Sequence, residues 1–193
     1  KAARTRHDQG WVDEVIEDLD ELCERVQKAK AGLEVVSIAY LGNIVDVWEK
    51  FDTNNIHIDL GSAQTSLHNP WAGGYYPVGQ SFEDSNAMMS SDPDLFKKKV
   101  QASLIRHASA IQRNTDKGTY FFDYGNAFLL EATRAGAALR AENGDDFIYP
   151  SYVQDILGPM CFDFGVGPLR WVCASGKQSD LDKTDEIACA VLE

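Results

Sequence analysis

Two stretches of this chain leave an apolar β run in the same way. The run at residues 35–41 leads into Tyr40-Leu41-Gly42-Asn43, and the run at 119–122 leads into Asp123-Tyr124-Gly125-Asn126. Each then passes through Gly-Asn directly into a helical pattern. After the first, Ile44, Val45, Val47, Trp48 and Phe51 suit a short helix; after the second, an Ala- and Leu-rich segment at 127–138 does. A third β run, 56–60, lies between them in the chain. It is separated from the last by a long helix that starts at Asp92-Pro93, with Asp92 as N-cap and Pro93 in the first turn, and reaches about Asn114. The order β-α-β-α-β-α predicts an α/β fold with a parallel sheet flanked by helices, because parallel neighbours need a crossover and a helix is the usual one.

The flanking segments are read from periodicity alone. Trp11, Val15, Leu19, Leu22 and Val26 recur every three or four residues, which predicts one amphipathic helix over 8–30 ended by Gly32. In the long helix the buried stripe is expected to be Leu95, Val100, Leu104, Ala108 and Ile111, with His107 a surface or packed residue rather than a ligand. Beyond residue 143 the pattern is less regular: Tyr149-Pro150, Gly158-Pro159 and Gly167-Pro168 mark turns, and residues 180–192 read as a closing helix.

In a parallel sheet the turns that follow strands gather at one edge, and ligands bind in the crevice there. Between the second and third β runs lies residues 61–79, GSAQTSLHNPWAGGYYPVG, which combines amides, hydroxyls and three aromatic rings with four glycines and two prolines. This composition describes a ligand loop or a packed surface Ω-loop. Strand order brings Asn43, Gln64, Thr65, Ser66, His68, Tyr75, Tyr76 and Tyr124 around one polar, nearly uncharged pocket. Amides, hydroxyls and helix N-termini suit a phosphate or ribose, and tyrosines offer faces to a flat ring. A nucleotide-type ligand fits, although the chain has no GxGxxG turn. Tyr124 and Asn126 have an alternative reading as plain turn residues, and Arg170 as a structural ion pair. Ser66 and His68, two apart in a loop, do not make a Ser-His nucleophile, and Cys161 reads as a buried thiol.

A net charge of −12 over 193 residues excludes a basic nucleic-acid footprint and a polybasic membrane patch. Cys23, Cys161, Cys173 and Cys189 form no CxxC pair, so neither a zinc site nor a disulfide framework is indicated, and reduced thiols in a cytoplasmic protein are expected. No metal is expected, and no membrane span or signal peptide is read. The chain opens without Met and closes within a helical pattern, which suggests a piece of a longer protein.

Five segments are similar to the urocanase family: LGN at 41–43, QTSLHNPWAGGYYPVG at 64–79, FDYGNAFLLEATRAGA at 122–137, GVGPLRWVCASG at 165–176 and DLDKTDEIACAVLE at 180–193. Their order and spacing cover most of the chain from about residue 35. Ala63, the His68-Asn69-Pro70 sequence and the doubled Gly73-Gly74 resemble the eukaryotic branch.

The resemblance implies a Rossmann-like fold, incomplete here. Residues 1–140 would form a partial NAD-binding domain with a leading helix, and 141–193 would return to the core of the parent enzyme. It implies a hydro-lyase that adds water to urocanate in histidine degradation and gives imidazolonepropionate. Tightly held NAD⁺ would serve as electrophile, with no net hydride transfer. By motif, Asn43, Ile44, Gln64, Thr65, Ser66, Leu67, His68, Tyr75, Tyr76 and Tyr124 would contact NAD⁺, and Arg170 would hold the substrate carboxylate. No catalytic residue is assigned within these segments, the piece alone is expected to be inactive, and the parent is expected to be a cytoplasmic homodimer. The rival readings are the dinucleotide domain of an NAD-dependent dehydrogenase and a non-catalytic nucleotide-binding module.

Overall fold

The structure is a computed structural model of the chain. It describes every residue except 1, 65, 66, 68, 126, 168–172 and 193. Two compact units are present, Lys1–Ile156 and Leu157–Glu193.

In the first unit the elements run α1 (Ala2–Asp8), β1 (Glu14–Ile16), α2 (Leu19–Gly32), β2 (Ile38–Tyr40), α3 (Ile44–Thr53), β3 (Leu60–Ala63), a 3₁₀ turn at Pro70–Ala72, α4 (Phe82–Ser91), α5 (Pro93–Thr115), β4 (Tyr120–Asp123) and α6 (Ala127–Ala135). The α/β alternation and the parallel pairing are both observed. The strands form two parallel pairs, β1 with β2 and β3 with β4, rather than one sheet of three. Glu14 to Ile16 lie opposite Ile38 to Tyr40, and Leu60 to Ala63 lie opposite Tyr120 to Asp123.

The extra strand comes from the segment expected to be one helix over 8–30. Gly10 takes a positive φ of 74° and breaks the chain there, and Trp11 is left exposed. Val15 and Ile16 then pair with β2, and Asp18 caps α2 by accepting the Glu21 N–H at 2.9 Å. A strand partner and a good N-cap outweigh a spacing that happens to run on across the break. The third β run is also displaced. Residues 60–63 pair instead of 56–60, because Ile56 is drawn into a small core with Ile16, Leu22, Cys23 and Phe51.

α5 is the spine of the unit and packs against α3, α4 and α6. Asp92 caps it by accepting the Leu95 N–H at 3.0 Å, with Pro93 in the first turn, as expected. Its buried face runs through Phe96, Val100, Leu104, His107, Ala108 and Ile111. Leu95, expected inside, is exposed instead, since Phe96 fills the inward position of the first turn. His107 is packed, in line with its sequence reading. Phe96, Leu104 and Phe128 are almost wholly buried, and each contributes about 1.5–3 kcal/mol by leaving water. Asp52 of α3 pairs with Arg113 of α5 and with Lys117 in the turn just after it, so the two helices are also cross-linked by charge. α4 was not legible: its Ser, Asn and Asp content favours turns and caps over helix interiors. It forms because Ser81 accepts the Asp84 N–H at 3.0 Å and Ser85 packs inward.

In the second unit, a helical turn α7 (Gly158–Met160) and a 3₁₀ turn (Phe162–Phe164) precede α8 (Gln178–Leu192), close to the closing helix expected. Cys161 is only partly buried, not the buried thiol expected, because nothing described packs fully over this turn. No described helix is long and apolar enough to cross a membrane.

Candidate functional site

The parallel register of β3 and β4 sends two chains out of the sheet side by side. Ala63 lies opposite Asp123, and the Tyr124 N–H donates to the Ala63 carbonyl at 3.1 Å. Gln64 and Tyr124 therefore emerge as neighbours, both exposed. The Tyr124 ring stacks on Tyr152 with centroids 5.5 Å apart and planes at 19°, and Tyr152 in turn packs on Phe122. The result is a braced aromatic platform beside an amide.

The turn after β2 is linked to the loop. Asn43 caps α3 by accepting the Val45 N–H through Oδ1, and its Nδ2 donates to the Tyr76 carbonyl; both bonds are 3.0 Å. Ile44 next to it is exposed. At Gly42 a Cβ would come within 2.3–2.4 Å of the outer atoms of the folded-over Tyr40 ring, so a larger residue there would displace that ring.

The two loop tyrosines point apart. Tyr76 donates from its hydroxyl to Asn86 Oδ1 at 3.0 Å and packs on Phe82. Tyr75 is buried, with its hydroxyl 3.3 Å from His107 Nδ1. Burial raises the Tyr75 hydroxyl above its ordinary pKa and lowers the His107 imidazole from 6.5 to about 3, so both are neutral. The side chain of Leu67 is likewise core. Of the residues expected at the pocket, the structure thus brings Asn43 onto Tyr76 and Gln64 beside Tyr124, and turns the side chains of Leu67 and Tyr75 inward. Thr65, Ser66, His68, Asn126 and Arg170 lie outside the described residues.

Sequence reasoning missed Asp123. Its carboxylate is buried at the carboxyl end of β4 and accepts the Phe128 and Leu129 N–H groups at 3.1 and 3.2 Å. Burial raises its pKa, and these backbone donors hold the rise back. An acidic residue just ahead of an apolar helix is the available signal. Its effect is that the first turn of α6 already has an anion. α3 carries Asp46 in its first turn, which opposes a second negative charge there. Among the described residues, the donor set therefore fits ribose hydroxyls, an amide and a flat ring better than a bare phosphate. No described group of His, Cys, Asp and Glu is arranged to hold a metal ion.

Comparison with known proteins matches the model of the urocanase Rossmann-like domain to residues 1–156, and that of the urocanase C-terminal domain to residues 159–193. The chain belongs to the urocanase family. It is 53% identical over 192 residues to a probable urocanate hydratase of Caenorhabditis elegans, covering 97% of this chain and 28% of that protein. It is 50% identical over 195 residues to the urocanate hydratase of Mus musculus and 49% over 199 to that of Homo sapiens, covering 97% and 100% of this chain and 29% of each relative. The chain thus spans less than a third of the length of the urocanases it matches. The Rossmann-like assignment agrees with the parallel strands and flanking helices.

Proposed function

We propose that this chain supplies part of the NAD⁺ site of a urocanate hydratase, which adds water to urocanate to give imidazolonepropionate. The carrying observation is the paired exit of Gln64 and Tyr124 from β3 and β4. With Asn43 tied to Tyr76, this gives the carboxyl edge amides, carbonyls and a stacked ring. Asn43, Gln64, Tyr76 and Tyr124 would hold the nucleoside part by hydrogen bonds and stacking, while Ile44 and Leu67 pack at the rim and Tyr75 supports from within. Thr65, Ser66 and His68 complete the loop in this reading, and Arg170 receives the substrate carboxylate. NAD⁺, when bound, supplies an electrophilic nicotinamide ring. The residues of this chain would orient that ring. The names of the relatives support the activity, and the reduced cysteines support a cytoplasmic protein; a homodimer is part of the same reading.

The test is turnover by the full-length protein. Loss of the near-ultraviolet absorbance of urocanate, with bound NAD⁺ recovered unreduced, is expected. Accumulation of NADH would favour a dehydrogenase, and unchanged urocanate would favour a binding module.

A further inference from the structure

Residues 75–78 of the loop are held from two sides. On one side the Tyr76 carbonyl accepts from Asn43 at the α3 N-terminus. On the other, Tyr75 meets His107, and the Val78 N–H donates to Ser103 Oγ at 3.0 Å. Ser103 and His107 are one turn apart on α5 and so share a face. Both are almost completely buried, as is Pro77 between their partners.

His107 is a poor choice for filling space. Its ring packs 4.6 Å from Phe128, yet among the described residues its buried Nε2 has no hydrogen-bond partner. Such an unmade bond costs stability, and an apolar side chain of similar size would avoid the cost. What leucine cannot provide is a polar atom on a rigid helix, aimed at the Tyr75 hydroxyl. We infer that His107 is a positioning residue for the ligand loop: through Tyr75 it fixes the path of residues 75–78, and so the Tyr76–Asn43 junction at the sheet edge, without touching the ligand. The inference rests on the proposed reading that this edge binds NAD⁺.

The experiment measures NAD⁺ affinity, by calorimetry on cofactor-stripped full-length protein, alongside the melting temperature. His107→Leu and Tyr75→Phe are each expected to weaken NAD⁺ about fivefold, the equivalent of one ordinary hydrogen bond. The melting temperature of His107→Leu should stay near wild type, because removing the unpartnered Nε2 offsets the cost of leaving the Tyr75 hydroxyl without its partner. His107→Asn, which restores a polar atom near the Nδ1 position, should recover most of the affinity. The double variant should be no weaker than either single one, since both remove the same contact. Unchanged affinity in His107→Leu, additive losses, or a loss that only follows a fall in melting temperature would overturn the inference. If His107→Leu does not fold, Tyr75→Phe decides alone, since it removes one hydroxyl; unchanged affinity then overturns it. Wild-type protein that binds no NAD⁺ would instead sink the site reading itself, and this inference with it.

Discussion

Asn43 and Tyr76, 33 residues apart, are joined by one amide that also caps a helix. The two roles can be separated. Asn43→Ala removes both and should lower stability by about 1 kcal/mol, the usual cost of a lost N-cap. Asn43→Asp keeps an acceptor for the Val45 N–H but loses the donor to Tyr76. It should melt near wild type while binding NAD⁺ more weakly. Thermal unfolding and calorimetry on the same samples check both halves.

Asp123 governs a different junction, between β4 and α6. Replacing it with Ala strands the buried N–H groups of Phe128 and Leu129. A buried donor left without a partner costs about 1–3 kcal/mol, so a loss of roughly 2–6 kcal/mol in denaturant unfolding is expected for the pair. Asp123→Asn retains an acceptor oxygen and should lose less. If Asp123→Ala unfolded at the wild-type denaturant midpoint, the carboxylate would not be the cap of α6.

Gly61 of β3 is constrained by a neighbour rather than by its backbone angles. A Cβ there would lie 2.5 Å from the ring of Trp48. Trp48 is buried against Phe121 and cannot swing away freely. Gly61→Ala should therefore destabilise by about 1–3 kcal/mol through overpacking. Gly79→Ala tests the opposite case: open space, but a positive φ of 74°. Its cost should come from backbone strain of about 1 kcal/mol and should not respond to Trp48→Phe. Melting of the two variants in both Trp48 backgrounds distinguishes them.

What the sequence made legible was whatever a local signal reports. Asp92 as N-cap, the Gly-Asn turn after β2 and the parallel sense of the strands all follow from neighbouring residues and element order. The pairing of Glu14–Ile16 with Ile38–Tyr40 was hidden, because a three-residue strand carries too little periodicity to interrupt an apparent helical spacing. The inward turn of Tyr75 was hidden for another reason. Tyr75 and Tyr76 are adjacent and chemically identical, and only the position of α5 decides which one becomes core. Asp123 was passed over because its role depends on a helix whose N–H groups converge on it in three dimensions.

The buried imidazole of His107 also sets a pH dependence. Its pKa falls from 6.5 to about 3 because burial disfavours the charged ring. Below pH 6.5 the unfolded chain takes up a proton that the native state refuses, so unfolding becomes more favourable as pH falls. The loss should begin near pH 6.5, reach about 2 kcal/mol by pH 5, and stop growing below about pH 3. Asp123 acts with the opposite sign. Its pKa is raised, so the native state binds a proton more readily than the unfolded one, and stability is regained as pH drops through its folded value. Asp46, whose pKa burial also raises, acts in the same sense as Asp123, and both offset part of the His107 effect. Unfolding free energies at pH 7, 6 and 5 for wild type and His107→Leu test this. The wild-type slope should be largely absent in the variant, and parallel slopes would show that other groups carry the acid sensitivity.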